Sequence, residues 1–163
     1  MKRIEKKQAS EETKIDGQVV VFSLAEEKYG IEISLVREIV KWSKTTELPQ
    51  MSDELSGVIK LRDQVIPVIS LRKRFGWQEA ENLADTKIII LEIDSVLIGI
   101  NVDDVDAVMD VPGSAVEPTN GLMGQAKMIS GIAKLPDLLL ILLDLRALFS
   151  SDVIERIAQQ GTG

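Results

Sequence analysis

Three stretches of the sequence carry residue types and spacings that could do chemistry. Ser70-Leu71-Arg72-Lys73 satisfies S-x-x-K, in which a lysine amine activates a serine nucleophile. The companion S-D-N and K-T-G elements are missing, and Lys44-Thr45-Thr46 supplies neither. Gly121-Leu122-Met123-Gly124-Gln125-Ala126-Lys127 is glycine-rich and ends in lysine. A phosphate-cradling loop needs G-x-x-x-x-G-K-[ST], so both the glycine spacing and the residue after the lysine are wrong. It reads as a flexible connector. Asp103, Asp104, Asp106 and Asp110 are close enough in sequence to suggest a hard cation or a pair of catalytic carboxylates. Counting from Asp104, Val108 and Met109 fall where a calcium loop needs an oxygen ligand and a glycine. This stretch reads as a solvated acidic turn.

The composition removes most remaining chemistry. The 163 residues include no cysteine and no histidine, so thiol nucleophiles, imidazole bases, disulfides and Cys/His zinc sites are excluded. With 19 basic against 26 acidic residues the net charge is −7, which repels nucleic acid on average. Aromatics at 4% are too few for a base-stacking platform. No run approaches the roughly 20 apolar residues of a membrane span, and no apolar segment follows the basic start. A cytoplasmic protein with no catalytic residues, no cofactor and no metal is expected. A binding module is what remains.

The elements that would position a binding surface are mostly short strands. Residues 1–17 are polar and aperiodic and are expected to be a mobile tail. Val19 to Leu24 and Tyr29 to Ile33 flank a polar link, the signature of a hairpin. Ser34 to Val40 suggests one helical turn entering a strand. Further hairpins are expected around Arg62-Asp63-Gln64, Asp94-Ser95 and Leu135-Pro136-Asp137. Pro67 lies inside a strand run and should occupy an edge or a bulge, because it has no N–H to donate. Leu138 to Leu143 is apolar on both faces, as in a strand buried between layers. Asp152 with Glu155 makes a capping box that predicts a C-terminal helix over about 152–160.

The chain also repeats itself. Ser56-Gly57-Val58-Ile59-Lys60-Leu61-Arg62-Asp63 aligns with Ser130-Gly131-Ile132-Ala133-Lys134-Leu135-Pro136-Asp137, and Leu71-Arg72 and Phe75 align with Leu145-Arg146 and Phe149. Gly30-Ile31 and Ile33 match Gly99-Ile100 and Val102, while Val36 and Ile39 match Val105 and Val108. Repetition of this kind predicts two half-size units. An all-β fold of two packed barrels, each of about five strands, is expected, with the barrels at roughly 18–80 (plus a C-terminal return) and 81–150.

Val20-Val21-Phe22-Ser23-Leu24, Tyr29-Gly30-Ile31-Glu32-Ile33 and Val36-Arg37-Glu38-Ile39 together resemble the opening of bacterial chemotaxis coupling proteins, the CheW family. Gly57 to Arg72 resembles that family's G-V-x-N-L-R-G-x-x-x-P-V-x-D-L-R segment, and Gly99 to Val108 its third block. The resemblance runs from about Gln18 to the C-terminal helix. It implies a CheW-like domain over 18–163 made of two SH3-like five-stranded β-barrels with a short C-terminal helix. It also implies a non-catalytic adaptor that couples the cytoplasmic tips of methyl-accepting chemoreceptors to the regulatory domain of a CheA-type histidine kinase, at membrane-associated arrays. The alternative is a detached regulatory domain of such a kinase, which would require dimerisation and ATP-binding regions upstream. By residue-wise carry-over Val36, Glu38, Leu122 and Met123 are the candidate kinase-binding residues. Arg62, Val105 and Val108 are the candidate receptor-binding residues. Lys60, Asp63, Ser70 and Lys87 depart from the family pattern.

Overall fold

The computed structural model describes residues 17–49, 55–118 and 128–149. The expected tail (apart from Gly17, which opens the first strand), the connector bearing Leu122 and Met123, and the C-terminal helix lie outside the described residues. The strands are β1 (Gly17–Leu24), β2 (Glu27–Glu32), β3 (Val36–Lys41), β4 (Leu55–Leu61), β5 (Gln64–Ser70), β6 (Lys87–Ile93), β7 (Val96–Val102), β8 (Asp104–Val111), β9 (Val116–Glu117), β10 (Ile129–Leu135) and β11 (Leu138–Leu143). One-turn helices α1 (Leu71–Arg74) and α2 (Leu145–Leu148) follow β5 and β11. The helical turn expected before β3 is a 3-10 turn at Ile33–Leu35.

All four expected hairpins form, each on a two-residue link. In three of them both link residues are left-handed: Ala25 and Glu26, Arg62 and Asp63, Asp94 and Ser95. This is the turn whose twist matches the flanking strands. The fourth link, Pro136-Asp137, has no left-handed residue; the proline ring fixes its own φ near −65°, which excludes a turn with both link residues left-handed.

The strands sort into a five-stranded sheet, β3-β6-β7-β5-β4, and a six-stranded sheet, β8-β1-β2-β11-β10-β9. These are the two SH3-like barrels, the second carrying the two-residue β9 as an extra strand. The boundary expected near residue 80 does not separate them. The first barrel is built from 36–102 and the second from 17–32 together with 104–143. Each repeat contributes its leading hairpin to the other repeat's barrel. Val68, Ile69 and Ser70 of β5 run parallel to Gly99, Ile100 and Asn101 of β7, and Ile141 and Leu142 of β11 run parallel to Tyr29 and Gly30 of β2. Glycine suits both crossings: a Cβ at Gly30 would lie 3.1 Å from Leu142 Cδ2 on the parallel neighbour β11, and one at Gly99 would lie 2.9 Å from Ile88 Cγ2 on the antiparallel neighbour β6.

The repeats agree in detail. β4 and β10 share one burial pattern, and each has a bulge at its serine, Ser56 and Ser130. Pro67, by contrast, is not on an edge: β5 has a neighbour on each side. Pairing to β7 begins only at Val68, so the missing N–H falls just outside that ladder. β11 is buried only toward its end, and Leu139 is 58% exposed.

Each barrel has a small interior, Val19, Val21, Val111, Ala133, Leu140 and Leu142 in one and Ile59, Ile66, Val68, Ile88 and Ile90 in the other. The largest core lies between them and draws Phe22, Ile31, Ile69, Leu71, Ile89, Ile100, Leu143 and Phe149 from both. Polar struts cross the same junction. Arg72 donates to Asp103 through Nε at 2.8 Å and Nη2 at 2.6 Å, and Arg74 donates to the Leu148 carbonyl at 3.2 Å. An aromatic ladder runs alongside, from Phe22 to Tyr29 to Phe75 to Trp77, with centroids 5.7, 5.8 and 5.4 Å apart.

Candidate functional site

β3 and β8 are the terminal strands of their sheets, and they are repeat equivalents. A terminal strand leaves one row of backbone groups open to a partner, and charged side chains normally blunt it. On β3 those charges are Arg37, Glu38 and Lys41; on β8 they are Asp104, Asp106 and Asp110. Each strand bulges at one residue, Arg37 opposite Leu91 and Ile90 and Asp106 opposite Phe22 and Val21. A bulge bends the strand and re-aims its side chains. The bulged residues pair in mirror fashion, Arg37 with Glu92 and Asp106 with Lys28 and Ser23.

The apolar candidates divide by position. Val36 and Val105 are half-buried and pack on the inter-barrel core, so part of each side chain serves the fold. Ile39 and Val108, their partners three residues on, are 40% and 49% exposed. Val65 and Leu139, also repeat equivalents, are exposed as well. The two barrels thus present matching apolar positions beside different charges, mixed around Arg37, Glu38, Lys41, Lys60 and Arg62 and acidic along β8. The exposed Val65 and Leu139 were not singled out from the sequence. Aligning Val65 with Leu139 at the offset of the Ser56 and Ser130 blocks was the signal available.

Glu38 and Arg62 were assigned to different surfaces, yet the structure brings them together. Arg62 Nη1 lies 2.6 Å from Glu38 Oε1 and Nη2 lies 2.8 Å from Oε2, a two-point fork. The hydrogen bond from Arg62 holds the Glu38 carboxyl below its ordinary value, with the charges of Arg62 and Arg37 acting in the same direction. Arg62 reaches Glu38 from the left-handed tip of the β4–β5 hairpin. Val105 and Val108 lie on the other barrel.

The acidic run between Asp103 and Asp110 does not converge. Asp103 faces Arg72, Asp104 faces Lys87 at 3.3 Å and Asp106 faces Lys28. Among the described residues no group of three or more potential metal ligands comes together. Ser70 and Lys73 also have separate partners: the buried Ser70 hydroxyl donates to Glu79 Oε1 at 2.6 Å and caps α1 by accepting from the Lys73 amide. Glu79 thereby provides the carboxylate that Asp144, at the equivalent position, carries itself. Of the departures from the family pattern, Asp63 completes the left-handed turn at φ 69° and Lys87 pairs with Asp104. Lys60 stands exposed on β4.

Comparison with known proteins adds a consistent set of likenesses. The family model described as the CheW-like domain matches residues 18–153. The chemotaxis protein CheW of Treponema pallidum (strain Nichols) is 34% identical over 147 residues, covering 86% of each chain. The chemotaxis protein CheW of Bacillus subtilis (strain 168) is 37% identical over 106 residues, covering 65% of this chain and 68% of the relative. The crystal structure of the scaffolding protein TtCheW from Thermoanaerobacter tengcongensis superposes with a TM-score of 0.76 at 37% identity, over 85% of this chain and 96% of that one.

Proposed function

Because the chain belongs to the CheW family of chemotaxis coupling proteins, we propose that it is a non-catalytic adaptor joining chemoreceptor tips to the regulatory domain of a CheA-type histidine kinase, in membrane-associated arrays. The observation that carries this reading is the pair of repeat-equivalent terminal strands, each presenting exposed apolar residues, beside charges of both signs on β3 and acidic ones on β8. Two such faces on barrels that share one core suit a protein that holds two partners. The separate ion pairs of the aspartates and the structural use of Ser70 support the absence of chemistry.

Val36 and Glu38 on β3 are proposed to face the kinase, with Leu122 and Met123 as a second contact. Val105 and Val108 on β8 are proposed to face the receptor, whose helix would lay apolar residues into the groove between the barrels. Arg62, held against Glu38, stands at the border of the kinase-facing surface, and its receptor contact would be made from there. Equilibrium titration against the isolated regulatory domain of a CheA-type kinase tests the reading. A stoichiometric complex weakened by Val36→Ala is expected, and no complex with any such domain would overturn it.

A further inference from the structure

The barrels join at two repeat-equivalent corners whose polar residues differ. At the first, Arg72 of α1 grips Asp103 in the link between β7 and β8, and Asp103 Oδ2 accepts from the Ala25 amide in the β1–β2 turn. Chain just beyond α1 closes this corner: Gln78 O accepts from Arg72 Nη1 at 3.3 Å, and Glu79 accepts from Ser70. At the second corner Ser34 stands in the place of Asp103, and its hydroxyl is too short to hold Arg146 of α2. Arg146 Nη1 instead reaches Asp94 Oδ1 at 2.7 Å, in the β6–β7 turn.

A cleft of about 410 Å³ opens at this second corner. Leu35, Leu143 and Leu145 supply its apolar lining, and Glu32, Ser34 and Asp144 are among its polar residues. Asp144 Oδ1 accepts from the amides of Arg146 and Ala147, which leaves Oδ2 without a partner among the described residues. Among the described residues, the one cation lining the cleft, Arg146, is neutralised by Asp94. With Arg146 so paired, the carboxylates of Glu32 and Asp144 leave the cleft net acidic.

We propose that this cleft is a binding site for a lysine or arginine side chain of a partner polypeptide, the cationic head lying between Glu32 and Asp144 and the aliphatic stem against Leu35, Leu143 and Leu145. Long cationic side chains combine an apolar stem with a charged head in this way. The proposal rests on the lining of the cleft and not on the coupling reading.

The test is an NMR titration of the full ¹⁵N-labelled chain with N-acetyl-arginine amide. N-acetyl-norleucine amide, N-acetyl-glutamate amide and magnesium chloride serve as competitors and controls. Saturable shifts of the Ser34, Ser130 and Arg146 amides are expected with the arginine probe, weakened at least tenfold in Glu32→Gln/Asp144→Asn. Asparagine keeps the helix cap, so the rest of the spectrum should be preserved. If the double variant unfolds, Glu32→Gln alone, which leaves the cap intact, should weaken binding at least threefold. Absence of saturation, equal binding of the norleucine or glutamate probe, displacement by magnesium, or unchanged affinity in the folded variants would each overturn the proposal.

Discussion

Asp103 joins three elements through one carboxylate: Arg72 of α1 donates to both its oxygens, at 2.8 and 2.6 Å, and the Ala25 amide donates at 2.9 Å. Both members of the ion pair are about a quarter exposed, so the link between the barrels is partly shielded from water. The Arg72 hydrogen bond lowers the Asp103 pKa, opposed by burial and aided by the Ala25 amide. A carboxyl depressed in the folded state adds stability that is complete above its unfolded value, near 3.9, and disappears as pH falls through the folded value. Asp103→Asn should therefore cost about 1 kcal/mol at pH 7, after allowance for solvent screening. The difference from the parent should shrink as pH falls below about 4. Urea unfolding at pH 7 and pH 3 measures both, and an equal difference at the two values would contradict the assignment.

Glycine substitutions should rank by what their Cβ meets. At Gly57 it would lie 2.5 Å from the Thr46 carbonyl oxygen, at a φ of +142°. At Gly99 it meets the branch methyl of the buried Ile88 at 2.9 Å, and at Gly30 the flexible end of Leu142 at 3.1 Å. Gly57→Ala should cost more than about 2 kcal/mol, and Gly99→Ala and Gly30→Ala successively less. Thermal melting of the three variants gives the order.

The left-handed links offer the opposite experiment. Glu26 at φ 73° and Ser95 at φ 68° occupy a region that favours glycine. Glu26→Gly and Ser95→Gly should each raise stability by roughly 0.5–1 kcal/mol, relief of strain exceeding the added unfolded-state freedom. A loss of stability in both would mean that these turns carry contacts beyond their own backbone.

The hairpins, the 3-10 turn before β3 and the repeat were legible because each rests on local signals: alternation, a two-residue polar link, identities at a constant offset. The exchange of hairpins was not. Aligning Gly30 with Gly99 shows that the segments are alike but not which copy each will pair with. That choice is made by parallel contacts between residues far apart in sequence, Val68 with Gly99 and Leu142 with Gly30. The pairing of Glu38 with Arg62 was not legible for the same reason: their fork depends on how the hairpin tip overhangs β3, which no spacing encodes. Val36 and Val105 read from sequence as either core or surface, and they are partly both.

The Glu38–Arg62 fork is exposed, so its electrostatics should respond to salt. At low ionic strength Glu38→Arg and Arg62→Glu should each weaken kinase binding, and the exchanged pair Glu38→Arg/Arg62→Glu should recover part of the loss. The defects should shrink as salt is raised. Titrations at two salt concentrations check this, with circular dichroism confirming the fold. No recovery in the exchanged pair would mean that each residue acts on the partner alone.

Reconstitution tests the central claim most directly. The autophosphorylation rate of a CheA-type kinase is measured with chemoreceptor signalling fragments present, with and without this protein at saturating concentration. The account predicts that the rate responds to the receptor fragments only when the protein is present, and that Val36→Ala lowers the apparent affinity for this effect. An identical rate with and without the protein, when it is present at a concentration that saturates the kinase and the receptor fragments, would contradict it.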